Sequence, residues 1–547
     1  MSLAPVAPGT LHAMPFPSRR SAVMGLRGMV ATSQPLAAEA GLRVLCSGGH
    51  AVDAAVATAA ALAVVEPTGT GLGGDCFALV FDAHTKAVQA LDGSGRSPRG
   101  LTADLVRARG FAAMPQRGAL TVTVPGAVDA WAVLLAAHGR LSLADALAPA
   151  IQLAHHGFPV SELVAGAWRR SEALLAADAT AREQLLLNGR APRPGEVMRL
   201  PALAATLEAV AADGPAAFYR GAVAEAIVQA VNAAGGVMTA DDLAGHRSRW
   251  QPALRTPMGE AWLWECGLPT QGIVALEAAA LMGEFAPASR AAGGAEVIHL
   301  MIECLRTAFA DAANAVADPA TAPHPVAALL DAAHVRARRA IIHAGRTLPG
   351  PVAAMPPSGG TVYLAAVDEE GNGCSLVNSN FMGFGSGIVA GRTGVPLQNR
   401  GAGFVLTRGH PNELGPAKQP FHTIIPALLT RRLDDTLLAA FGVMGGHMQP
   451  QGHLQVAGNI LWWGMDPQRA LDAPRFQVTT DDRVALEPAF PPALGRTLER
   501  WGHSLVPVGD LPDAGAFGGG QVIGVTPDGV RVGGSDPRKD GLAVAQV

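Results

Sequence analysis

The stretch PPSGGTVYLAAVDEEGNG, residues 356–373, sets a loose Pro/Gly run against an alternating strand pattern, and the boundary falls on Thr361. Upstream, GRTLPGPVAAMPPSGG, residues 345–360, is rich in linker-forming residues that resist helix and strand alike. Downstream, TVYLAAVD and GCSLVNSNF bracket the turn EEGN, which predicts a β-hairpin. A β-branched residue at a strand start is ordinarily structural. The chemical alternative requires the Gly360–Thr361 bond to be cut. Thr361 would then carry a hydroxyl and a free α-amine, whose pKa near 8 suits a base around neutral pH. Gly359 and Gly360 permit the backbone geometry that self-attack needs. Local sequence leaves both readings open.

Composition narrows the classes. Of 547 residues, 49% are apolar and 16% charged, enough hydrophobic material for an extensive core and too much for a disordered chain. The 41 basic and 45 acidic residues give a net charge of -4. With no basic block, nucleic acid is not expected as a partner. The longest apolar stretch, Ala54 to Val65, is too short to span a bilayer and predicts a buried helix, so no membrane partner is expected. The segment MSLAPVAPGTLHAMPFPSRRS shows no apolar core of a secretory signal, so a cytoplasmic location is expected. Cys46, Cys76, Cys266, Cys304 and Cys374 form no CxxC pair and read as buried reduced thiols.

The pattern along the chain predicts a mixed α/β protein. A strand-like stretch at Met29–Ser33 precedes an Ala-rich helix over about 50–65, and CFALVFDAHTKAVQALD predicts a hairpin. From about 120 to 350 the reading is helical, with segments at Leu141–His156, Pro201–Ala212, Gly221–Ala234 and Ala295–Val316. Beyond 360, strands are predicted at TIIPALLT, LLAAFGVM and GQVIGVTP. Strand-rich ends flanking a helical middle predict one continuous architecture of sheets covered by helices.

Three other motifs invite chemistry and have plainer readings. Gly69, Gly71 and Gly74 in TGTGLGGD fit GxGxxG, but a dinucleotide site needs the strand before the glycines and the helix after them. Here the order is reversed, and a closely packed turn is expected. His447 and His453 in GGHMQPQGH match no metal-ligand spacing, and no metal site is expected. Cys76 has no partner indicated nearby and reads as structural.

Ordered motifs from about residue 28 to 540 resemble the γ-glutamyltransferase family of self-processing N-terminal-nucleophile hydrolases. GGHAVDAAVATAAALAVVEPTGTGLGGDCF resembles its GGNAVDAAVA…VVEP…GIGG segment, and TVYLAAVDEEGNGCSLVNSNFMGFGSGIV resembles the segment opening with its catalytic threonine. GVMGGHMQPQGHLQV falls at its GSPGG turn, and GGSDPRKDG resembles its SDPR motif. The resemblance implies a four-layer αββα sandwich and cleavage between Gly360 and Thr361. Residues 1–360 would form a large subunit and 361–547 a small catalytic one, both halves making one intertwined domain. It implies γ-glutamyl transfer or hydrolysis through a threonine acyl-enzyme, on a small-molecule amide substrate such as a glutathione-type compound, with no cofactor. The fragments would stay associated, with a homodimer of heterodimers left open. Thr361 would be the nucleophile and Ser379 the hydroxyl that supports it. Gly445 and Gly446 would supply the oxyanion-hole N–H groups, which are worth several kcal/mol when aimed at developing charge.

Departures from the family pattern concentrate where the amino-acid head would bind. The family's arginine position falls on Ser94, with Arg96 two residues later. Its asparagine falls on Phe381, and its paired serines on His422 and Thr423. NNQMDDF reads QNRGAGF, so Asn399 is followed by Arg400, and Gly403 replaces an acid. Losing an acid and gaining a cation favours an anionic acyl group without a free α-amine. The QNRG pattern resembles the family's glutaryl-type acylases and its oxamate amidohydrolase. An ion pair for Arg400 is the plainer alternative, and an unprocessed non-catalytic relative the alternative for the whole chain.

Overall fold

The computed structural model describes residues 20–313, 315–322, 326–350, 360–507, 510 and 514–547. Most of the expected linker, residues 351–359, lies outside the described residues. The strand after Thr361 runs Val362–Val367 with every residue buried. It pairs antiparallel with Gly373–Ser379 on one side and with Met29–Thr32 on the other. That seven-stranded sheet has the spatial order Leu542–Ala545, Met29–Thr32, Val362–Val367, Gly373–Ser379, Asp75–Phe81, Val88–Gly93, Arg249–Pro252. A second sheet of seven runs Val23–Gly25, Arg531–Ser535, Gly519–Val525, Leu437–Met444, Ala427–Arg431, Ala261–Glu265, Leu254–Met258. Each sheet takes strands from both sides of residue 360.

The two-residue side-chain period of a strand sorts these residues into layers. Tyr363, Ala365 and Val367 pack with Leu428, Ala440 and Ile523 of the second sheet, forming the core between the sheets. Their neighbours Val362, Leu364 and Ala366 turn the other way, against the helix Ala51–Val65. The second sheet does the same: Ala439, Phe441 and Val443 pack on the helices Gly272–Gly283, Ala295–Ala312 and Met448–Leu461. The result is helix, sheet, sheet, helix, the four-layer αββα sandwich. Ala51–Val65 is buried along its whole length, as its uninterrupted apolar run requires. Among the described residues, no helix is long and apolar enough to cross a membrane.

The structure corrects the sequence reading in three places. The strands Arg249–Pro252, Leu254–Met258 and Ala261–Glu265 lie inside the stretch read as helical. They are short: Arg249–Pro252 and Ala261–Glu265 pair with distant strands at Asp92 and Leu429, and Leu254–Met258 forms a hairpin with Ala261–Glu265. The strand expected over TIIPALLT begins only at Ala427, because Ile425 N–H donates to the Gln449 side chain instead of a ladder partner. Cys46 is exposed, whereas the other four cysteines are buried.

At the centre of the sandwich the two sheets approach so closely that Gly442 has no room for a side chain. A Cβ there would lie 2.5 Å from the Tyr363 ring, whose hydroxyl hydrogen-bonds Ser375 at 2.8 Å. Gly442→Ala is expected to lower stability by about 1–3 kcal/mol through overpacking, read from the denaturant midpoint; an unchanged midpoint would contradict this contact.

Candidate active site

The start of the Thr361 strand is packed against a turn of glycines from another part of the chain. A Cβ on Gly69 would stand 3.3 Å from the Thr361 nitrogen, and one on Gly71 3.2 Å from the Asn380 side chain. The TGTGLGGD turn therefore lies against the start of the Thr361 strand, between the helix Ala51–Val65 and the strand Asp75–Phe81. That is the close-packed turn expected from its helix-then-strand order. Thr361 is only 3% exposed yet lines a cavity of about 1220 Å³ together with Gly360, Gly383, Met444 and Gly445.

Ser379 ends the strand that pairs with Val362–Val367 and brings its hydroxyl to Thr361: Oγ to Oγ1 is 3.0 Å. The same Ser379 oxygen accepts the Phe381 N–H at 2.9 Å and an Arg400 Nη2–H at 3.2 Å. A hydroxyl has two lone pairs and one proton, so those donors leave Ser379 with its single proton to give. Two acceptors stand within reach, Thr361 Oγ1 at 3.0 Å and the Gly360 carbonyl at 3.3 Å. Phe381 reaches this position with φ of +75°, a left-handed conformation costing about 1–3 kcal/mol for a non-glycine residue.

Arg400 is fully buried. Its Nη1 donates to Thr423 Oγ1 at 2.9 Å, and its guanidinium lies 4.3 Å from the Phe381 ring centre, a favourable cation–π placement. Nε has no partner, and among the described residues no carboxylate reaches ion-pair distance of it, against the ion-pair alternative. Burial lowers its pKa to about 10, opposed by the nearby Asp75, so it stays cationic at neutral pH. Asp75 receives Gln398 Nε2–H at 2.9 Å and Gly95 N–H at 3.0 Å, while its Oδ2 has no hydrogen bond. Burial raises Asp75 to about 7 despite the Arg400 charge. His422 Nε2 stands 3.5 Å from Asp75 Oδ2, and burial and Arg400 hold His422 neutral, well below its usual range.

Gly445 and Gly446 follow the strand Leu437–Met444 with φ of +131° and +60°, conformations that glycine adopts at little cost. Neither N–H has a hydrogen-bond partner among the described residues. The turn is held from behind by Gln271, whose Nε2 donates to the Gly446 and Thr423 carbonyls at 2.8 and 2.6 Å. It also precedes the helix Met448–Leu461, whose N-terminal dipole favours negative charge. Gln271 had no sequence signal, because its role depends on joining two turns distant in the chain.

The other expected residues are placed differently. Ser94 bonds Asp92 at 2.6 Å and Arg96 pairs with Asp318 at 2.7 Å; neither lines the cavity containing Thr361. Asn399 is a backbone brace, accepting Met382 N–H and donating to Gln116 O. Phe381, Arg400, His422 and Thr423 cluster behind Ser379 and do not line that cavity. His453 bonds Glu265 at 2.6 Å and His447 bonds Gln271 at 3.1 Å, so the two histidines do not converge. Two groups with metal-compatible spacing, His299–Glu303–His503 and Glu277–Asp311–His334, lie outside the cavity. Cys76 is buried, and burial holds its thiol well above the usual range.

Comparison with known proteins places the whole chain. The sequence profile described as Gamma-glutamyltranspeptidase matches residues 37–546. The chain is 36% identical over 528 residues to the glutathione hydrolase-like YwrD proenzyme of Bacillus subtilis, covering 95% of this chain and 99% of that one. It is 35% identical over 534 residues to the oxamate amidohydrolase proenzyme of Klebsiella pneumoniae, covering 96% and 99%. The crystal structure of cephalosporin acylase from Bacillus halodurans superposes with a TM-score of 0.89 at 41% identity, covering 97% and 98%.

The raised Asp75 carboxyl has a stability consequence. Its folded pKa of about 7 exceeds the ordinary 3.8, so the folded state binds its proton more tightly. That advantage is complete below pH 4 and is lost as pH rises to about 7, up to about 4 kcal/mol. Asp75→Asn, which keeps an acceptor for Gly95 N–H, is expected to flatten the fall in unfolding free energy between pH 4 and 7. An unchanged slope in denaturant melts would contradict this.

Proposed function

Since this chain belongs to the gamma-glutamyltranspeptidase family and is a hydrolase of that family, we propose that Thr361 is both its processing residue and its nucleophile. The observation that carries this reading is the single Ser379 proton poised between Thr361 Oγ1 and the Gly360 carbonyl. In processing, Thr361 Oγ attacks the Gly360 carbonyl carbon. The C–N bond breaks, the acyl group passes to the hydroxyl oxygen as an ester, and the Thr361 nitrogen is released as an amine. Water then cleaves the ester and leaves Gly360 as a carboxylate. Donation from Ser379 to the Gly360 oxygen polarises that carbonyl, and Arg400 and Phe381 N–H make Ser379 a stronger donor.

Once Gly360 has left, Thr361 Oγ1 remains beside the Ser379 proton as its acceptor. The new α-amine takes the hydroxyl proton as general base. Thr361 Oγ attacks the substrate amide, the amine departs with that proton, and water hydrolyses the resulting ester. The unpartnered N–H groups of Gly445 and Gly446 receive the oxyanion in both steps. The fragments 1–360 and 361–547 remain one interleaved body, because Val362–Val367 stays paired with Met29–Thr32.

The acyl group on this reading is anionic and lacks a free α-amine. Arg400 carries a buried positive charge with an unpartnered Nε, and Gly403 offers no acid for an ammonium. In the intact chain Arg400 is fully buried behind Ser379, so on this reading cleavage must open a path from Thr361 to its guanidinium. Oxamate, named for the amidohydrolase among the relatives, is such an anion. Glutaryl-p-nitroanilide is therefore expected to be hydrolysed with a higher kcat/KM than γ-glutamyl-p-nitroanilide. Arg400→Gln should cut the glutaryl value roughly 10- to 100-fold, the range for losing a charged hydrogen bond, with a smaller effect on acetyl-p-nitroanilide. Preference for the γ-glutamyl compound, or equal losses on glutaryl and acetyl substrates, would contradict the assignment.

A further inference from the structure

The cavity in front of Thr361 holds a second guanidinium that neither the motif resemblance nor the mechanism uses. Arg117 lines that cavity beside Gly360, Thr361 and Gly383. Its Nη1 donates to the Gly383 carbonyl at 2.6 Å and to the Gly385 carbonyl. These contacts seat it on the turn that follows Ser379 and Phe381. Nε and Nη2 make no hydrogen bond, and no carboxylate pairs with Arg117 among the described residues. It is partly buried, and burial lowers its pKa. A partly desolvated cation without a counter-charge is costly, and its planar fork suits a carboxylate.

The surroundings have the same sign. Of the seven basic side chains that line the cavity beside four acidic ones, Arg190, Arg538 and Lys539 are paired with carboxylates, while Arg169 and Arg193 line it with Arg117. Its volume of about 1220 Å³ exceeds the usual range for a small-ligand pocket and far exceeds what a short acyl chain needs. Arg400, by contrast, sits behind Ser379 and outside the cavity lining. The two guanidinium groups therefore lie on different sides of Thr361, one behind it and one in the open chamber.

We propose that Arg117 is a specificity-determining residue that binds a carboxylate on the amine half of the substrate, so the enzyme's preferred substrates are amides whose leaving amine is itself an acid. This rests on Thr361 being the nucleophile. It does not depend on which acyl group is preferred. The field of the chamber draws such anions in, and Arg117 holds the carboxylate while the amide carbonyl meets Thr361.

The test compares two substrates sharing one acyl group, whichever of glutaryl or γ-glutamyl the wild type hydrolyses faster: its p-nitroanilide and its amide with p-aminobenzoate. Arg117→Gln is expected to raise KM for the p-aminobenzoate amide at least tenfold while changing that for the p-nitroanilide less than twofold. Arg117→Lys, which retains a cation, should recover part of the loss. Equal shifts on both substrates would overturn the proposal and assign Arg117 to bracing the Gly383–Gly385 turn. No shift on either would overturn it as well. Because both substrates share the acyl group, a wrong acyl assignment for Arg400 leaves this comparison intact.

Discussion

One hydroxyl proton has two places to go. Ser379 Oγ accepts from Phe381 N–H and from Arg400, and the proton it retains faces both the Gly360 carbonyl and the Thr361 hydroxyl. Before the chain is cut it can polarise the bond to be broken. Afterwards that acceptor is gone, and the same proton supports the nucleophile. On the proposed mechanism, processing and catalysis share one donor and one oxyanion-binding turn, so a single arrangement would serve two reactions on different carbonyls.

The fold supplies the rigidity this sharing requires. Thr361 leads into a strand paired on both edges, and its backbone is pressed against Gly69. The oxyanion turn is tied by Gln271 to the Thr423 segment, which in turn receives Arg400. A displacement of any member would propagate to Ser379. The strained backbone at Phe381 belongs to the same constraint, since its N–H occupies one of the two Ser379 lone pairs. Charge is arranged in two zones: a covered set behind the serine, with Arg400, Asp75 and neutral His422, and an open basic chamber in front with Arg117.

Sequence patterns revealed those parts that depend on near neighbours. The helix Ala51–Val65, the hairpin of Asp75–Phe81 and Val88–Gly93, and the strand Leu437–Met444 carry their own periodicity and were legible. The junction at Thr361 was legible because a linker meets a strand there, although choosing the chemical reading took the resemblance across the chain. The strands between 249 and 265 were not: Arg249–Pro252 and Ala261–Glu265 gain their place from ladders with distant partners, and the local hairpin of Leu254–Met258 with Ala261–Glu265 lay inside a stretch read as helical. Arg96 and Arg117 show the same limit within the site. Arg96 stands near the family's arginine position but folds onto Asp318, while Arg117, in no motif, faces the cavity. Asp75 read as the end of a glycine turn, and its raised pKa comes from burial that no local pattern encodes.

Intact-mass measurement of the purified full-length chain during incubation tests self-cleavage at Thr361 most directly. Two products that meet between Gly360 and Thr361 are expected, with N-terminal sequencing of the smaller one reading TVYLAAV, and a Thr361→Ala chain that stays whole. A single uncut mass for both proteins, or cleavage of the Thr361→Ala chain at the same bond, would contradict it.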